Sequence, residues 1–77
     1  MPQYFFHVMD GRAFIDREGT ELAGITQVRE EAIRTAGTIL AKETTGLSSG
    51  KPWQMTVADA DGKVVFSLRF VATEYGG

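Results

Sequence analysis

Six residues near the start of the chain constrain it most. Tyr4-Phe5-Phe6-His7-Val8-Met9 runs straight into Asp10-Gly11. Aromatic and β-branched side chains suit a pleated, half-buried surface, and Asp-Gly after such a run is a strong hairpin signal. Side chains alternate across a strand. Tyr4, Phe6 and Val8 therefore share one face, and Phe5, His7 and Met9 the other. A strand apolar on both faces belongs in the middle of a sheet or under cover from beyond its own domain. The row Tyr4, Phe6 and Val8 is expected to face the core, because the other row carries His7.

The rest of the chain supplies partners for this strand. Arg12 to Asp16 reads as a shorter second strand anchored by Phe14, and Arg17 to Gly24 as a loop with Leu22 tucked inward. From Ile25 to Thr44 the apolar residues Ile25, Val28, Ala32, Ala36, Ile39 and Leu40 fall on one helical stripe, with Ile33 at its edge. Glu30, Glu31, Arg34, Lys42 and Glu43 lie opposite, and Glu30 and Arg34 have the four-residue spacing of a helical ion pair. Gly37 interrupts this helix at a cost of about 1 kcal/mol relative to alanine. It is expected to mark close approach to an aromatic side chain of the sheet, or a kink. Gly46 fits the helix stop, with Leu47 as its hydrophobic contact. Trp53 to Ala58 reads as a third strand, Asp59-Ala60-Asp61-Gly62 as a turn, and Lys63 to Val71 as a fourth strand. In that last strand Val64, Phe66, Leu68 and Phe70 alternate with Val65, Ser67, Arg69 and Val71. The tail from residue 73 to 77 is expected to fray.

Two strands, a helix and two strands predict a two-layer α+β domain, a four-stranded sheet with one long helix on one face. Placing the richest strands, the first and fourth, in the middle gives the strand order 2-1-4-3. With those two strands parallel, the outline is that of a β-grasp. A length of 77 residues allows a single domain spanning 1–77.

Composition narrows the function. Eight basic residues against ten acidic ones give a net charge of −2, a poor footprint for nucleic acid. The chain has no cysteine, hence no disulfide or thiolate metal site, and no stretch with the length of a membrane span. Met1-Pro2-Gln3-Tyr4 lacks the charged and apolar regions of a signal peptide, so a cytoplasmic protein is expected. His7, the single histidine, has no serine or cysteine in an activating context and reads as a hydrogen-bonded sheet residue. Asp59-Ala60-Asp61-Gly62 falls short of a calcium loop, because its glycine comes too early and the distal glutamate is missing. Gly46-Leu47-Ser48-Ser49-Gly50-Lys51-Pro52 is one residue short of a phosphate loop, with proline where Ser or Thr is required. Trp53, opening a strand, reads as a core or sheet-rim residue. No catalytic residue, cofactor or metal is therefore assigned.

One feature stands above this background. If the first and fourth strands are neighbours, Phe5, His7, Met9, Val65, Arg69 and Val71 form a mixed apolar patch on the sheet face away from the helix. Such patches mark interfaces, unless loops or the tail, through Tyr75, cover them. The expected function is a non-catalytic module for a protein partner or for self-association as a homodimer. The alternative is a nucleic-acid module using the same face, with Arg12, Arg69, His7 and aromatics as a stacking platform.

The opening Met1-Pro2-Gln3-Tyr4-Phe5-Phe6-His7-Val8, then Asp10-Gly11 and Glu18-Gly19-Thr20-Glu21-Leu22, resembles a family of short bacterial proteins of unknown function, common in rhizobia and related alphaproteobacteria. Glu31-Ala32, Ala36-Gly37, Trp53-Gln54-Met55, the Asp59–Gly62 turn and Leu68-Arg69-Phe70 extend the similarity over nearly the whole chain. The resemblance implies an alphaproteobacterial source and no activity. It has one local departure: Gly24 stands where the family often has an aspartate, which weakens the helix N-cap.

Overall fold

The computed structural model describes residues 1–42, 52–73 and 75–76. Its elements are β1 (Gln3–Met9), β2 (Ala13–Phe14), β3 (Thr20–Glu21), α1 (Ile25–Lys42), β4 (Trp53–Asp59) and β5 (Val64–Phe70). The strands form one open antiparallel sheet in the order β2-β1-β4-β5, and β3 also pairs with β1. The expected α+β class, with one long helix on one face, is the observed one, but the sheet has five strands instead of four, because Thr20 and Glu21, expected in a loop, pair with Tyr4 and Gln3 of β1. The expected helix stop at Gly46 and the stretch from 46 to 51 lie outside the described residues.

The order of the last two strands differs from the expectation. β4, not β5, lies against β1, antiparallel from Tyr4 opposite Asp59 to Met9 opposite Gln54. No parallel central pair exists among the described strands, so the β-grasp outline is not formed. The reason is burial. Trp53, Met55, Val57 and Ala58 are all buried, which makes β4 the interior strand. The clean alternation of β5, broken outward by Ser67 and Arg69, is that of a strand solvated on one side.

The core forms where α1 meets β4 and β5. Val28, Ala32 and Ala36, four apart, bury one helical row against Val8, Trp53, Met55 and Val57. Tyr4, Phe6, Leu22, Phe66 and Leu68 pack around them, as alternation predicts for each strand. Met55, Val57 and Val28 are fully buried, each side chain contributing about 1.5–3 kcal/mol. Trp53 is 2% exposed and tilts against Phe70, with ring centroids 5.9 Å apart.

Several local expectations change. Gly37 faces open space, with nothing within 4 Å of a Cβ built there, so no aromatic approaches it. Arg34 pairs with Glu31 at 2.9 Å rather than with Glu30, because the three-residue spacing also puts two side chains on one face. The second strand stops at Phe14, and Phe14 is 68% exposed instead of anchoring the core, because α1 does not reach over it. A register shift between Val57 and Ala58 pairs Ala58 with Val64, leaving Val64 exposed while Val65 packs on the core. The Asp59–Gly62 turn forms as expected. Asp59 Oδ1 accepts the N–H groups of Asp61 and Lys63, each at 2.9 Å, and Gly62 takes a positive φ of 85°.

Candidate functional site

The two edges of the sheet are built differently, and that difference locates the candidate site. At the first edge, β2 and β3 together make an interrupted strand along β1. Val8 pairs with Phe14 and Tyr4 with Thr20, so residues 5–7 of β1 face residues 15–19 instead of a matched three. Two extra residues bulge out there, and the ladder is broken.

Asp16 fills the break. Its Oδ2 accepts the N–H of Phe6 at 3.1 Å, where a strand carbonyl would otherwise sit. Its Oδ1 accepts the N–H groups of Glu18 at 3.0 Å and Gly19 at 3.1 Å, which closes the loop on its own carboxylate. The Asp16 N–H in turn donates to Nδ1 of His7 at 3.1 Å. Burial pushes the Asp16 carboxyl up, but donation from Phe6, Gly19 and Glu18 outweighs it and holds the group below the usual carboxylate range. The neighbouring His7 acts in the same direction. Gly19 sits at φ +78°, and a Cβ there would lie 2.9 Å from Phe5 Cε2, so the loop needs glycine to close over β1.

The patch expected from sequence is therefore divided. Phe5 and His7 are half-buried beneath the loop from 16 to 19, and Met9 is exposed. Val65 packs on the core. Arg69 is exposed, and Val71 is exposed beyond β5. Between the two groups lies β4, whose Gln54 and Thr56 face away from the helix. Arg69 Nη2 donates to Gln54 Oε1 at 3.3 Å, and Gln54 Nε2 donates to Thr56 Oγ1 at 3.5 Å. A polar chain crosses the middle of this face. Tyr75 does not cover it, being 91% exposed. Most aromatic residues that a base-stacking platform would use (Tyr4, Phe6, Trp53, Phe66 and Phe70) belong to the helix-side rows, leaving Phe5.

On the helix side, α1 rests on β4 and β5 and leaves β1 and β2 partly open. A groove of about 640 Å³ results, with Phe6, Val8, Phe14, Ile39 and Met55 as its apolar lining and Asp10, Arg12, Glu31 and Thr35 among its polar groups.

The second edge, β5, is plain. Among the described residues its one strand neighbour is β4, so the outer backbone groups of a seven-residue strand have no strand partner. It contains one charged residue, Arg69, and no proline. Edge strands are ordinarily shortened, charged, bulged or covered. The bulge here lies at the start of the strand, and Phe66–Phe70 pair regularly with β4. The long unpartnered edge was missed from sequence because β5 was expected in the sheet centre.

Among the described residues, no three His, Asp or Glu side chains converge as metal ligands, and no helix is long and apolar enough to cross a membrane. The architecture is a small two-layer α+β domain with one latched and one open sheet edge. Its sequence matches the family model described as Domain of unknown function (DUF6894) over residues 3–71, and the chain belongs to that family. No curated protein and no solved structure matches it.

Proposed function

We propose that this domain is a non-catalytic interaction module that takes up a strand of a partner protein along β5. The observation that carries this is the contrast between the edges: the β2–β3 edge is broken and capped by Asp16, while among the described residues the outer backbone groups of β5 have no strand partner. Strand addition draws its affinity from main-chain hydrogen bonds and its selectivity from alternate side chains. Exposed Val64, Phe70 and Val71 lie along the same edge to supply apolar contact. The face away from the helix suits the role less well, because the Arg69–Gln54–Thr56 chain keeps its centre polar.

A fluorescent peptide with the sequence Lys63 to Val71 tests this reading by anisotropy titration. Saturable binding that is lost when alternate peptide nitrogens are methylated supports strand addition. A flat titration, or binding indifferent to methylation in both alternate patterns, sinks it.

A further inference from the structure

We propose that the sheet face away from the helix binds the phosphate group of a small phosphorylated molecule, at His7, Gln54, Thr56, Ser67 and Arg69. This site is separate from the β5 edge and stands without the strand-addition reading. The strand registers bring the five residues together. His7 is opposite Thr56, and Thr56 is opposite Ser67, so the three form one row across β1, β4 and β5. Gln54 is opposite Arg69 in the next row. Their chain neighbours Val8, Met55, Val57, Phe66 and Leu68 pack in the core, which turns this block outward. Facing side chains of adjacent strands have Cβ atoms about 4.5–5.5 Å apart, so Thr56 is the centre of a block about 10 Å wide.

The hydrogen bonds within the block give it a single polarity. Gln54 Oε1 accepts from Arg69 Nη2 at 3.3 Å, and Thr56 Oγ1 accepts from Gln54 Nε2 at 3.5 Å. His7 Nδ1 accepts the N–H of Asp16 at 3.1 Å. Each of these bonds uses up an acceptor. What remains are donors: the other N–H groups of Arg69, the hydroxyls of Thr56 and Ser67, and Nε2–H of His7, where a neutral ring carries its proton once Nδ1 accepts. Arg69 makes no ion pair among the described residues. The Asp16 carboxylate beside His7 is already filled by three backbone N–H groups. Glu21, opposite Gln3, is four residues along β1 from His7, about 13 Å away. The block is thus left with donors and one guanidinium, and an anionic acceptor complements it. Donors on three strands around one centre suit a phosphate, whose oxygens do not share a plane, better than a flat carboxylate. The guanidinium fork also matches phosphate geometry. A nucleic-acid backbone fits less well, because it needs a run of cations and the block carries one arginine in a chain of net charge −2.

Titration of the full chain with inorganic phosphate at neutral pH and constant ionic strength, followed by proton–nitrogen NMR, tests this. Saturable shifts are expected at the Gln54 side-chain amide, at Arg69 Nε–H and at the backbone amides of Thr56 and Ser67. Arg69→Gln, at an exposed position, should weaken binding about tenfold. Thr56→Val, which replaces the hydroxyl by a methyl group, should weaken it about threefold. Arg34→Gln, on the helix, should change nothing. The spectrum of each variant shows whether it has folded. Shifts that never saturate, that centre on other residues, or that survive both Arg69→Gln and Thr56→Val overturn the site. Acetate should bind more weakly than phosphate, and equal binding overturns phosphate as the ligand. A single-stranded oligonucleotide that binds the same residues far more tightly than phosphate overturns the small molecule in favour of nucleic acid. The β5 peptide titration is independent of all these outcomes.

Discussion

The two edges of this sheet solve the same problem with different means. Both present backbone N–H and C=O groups that water alone would satisfy. On the β2–β3 side, two extra residues break the ladder, and a single carboxylate takes up the N–H groups of Phe6, Glu18 and Gly19. On the β5 side nothing comparable is present among the described residues. An edge can thus be closed by one well-placed aspartate in a loop, with no lysine or proline in the strand itself. The contrast also separates what each edge depends on. The latched edge hangs on local hydrogen bonds, and β5 hangs on packing against β4 and α1.

The largest perturbation should fall on that packing. Trp53→Ala empties the site where the indole meets Phe70, at an expected cost of about 3–5 kcal/mol in unfolding free energy, read from denaturant titration. Amide exchange should quicken along β5 more than around Asp16. A cost below about 1 kcal/mol would show that β5 is held by other contacts.

Asp16→Ala should cost less, about 1–2 kcal/mol, because its three backbone donors are partly solvated. Its effect should be confined to the other edge: faster exchange at the amides of Phe6, Glu18 and Gly19, with β5 unchanged. Equal acceleration at both edges would erase the distinction between them. Asp16→Asn, which keeps an acceptor and loses the charge, should fall between.

The same group predicts a pH dependence. Its carboxyl titrates below the ordinary value in the folded chain. The contribution is therefore fully present above about pH 4 and is lost as pH falls through the lower folded value. Denaturation followed from about pH 5 to 2 should show this loss in the native chain and a flatter profile in Asp16→Ala. An identical profile in both would remove Asp16 as the source.

The smallest effect should come from Gly37→Ala. The new methyl meets nothing within 4 Å, so the helix gains about 1 kcal/mol with no steric cost. Thermal unfolding should shift upward with neither edge altered. Destabilisation would mean that the glycine serves a contact made outside this chain.

Much of this architecture is legible from local pattern. His7 in the outward row gave the correct orientation of β1, and the four-residue spacing of Val28, Ala32 and Ala36 identified the buried helix row. Asp59 and Gly62 announced their turn through side-chain capping and a left-handed glycine. The role of Asp16 was hidden because its partners lie ten residues back, three ahead and two ahead, with no periodicity to expose them. Gly37 misled, because a helical glycine costs the same whether it packs closely or faces solvent.

The sequence by itself determined the helix, four of the five strands, most of the helix stripe, both hairpins and the α+β class. These follow from alternation, helical period and turn chemistry within a few residues. Only the tertiary structure decided that β4 takes the centre and β5 the rim. Strand position depends on total burial between neighbours, and Trp53, Met55 and Val57 reach complete cover only with α1 above them and strands on both sides. The open edge, and with it the proposed contact, is a consequence of that placement.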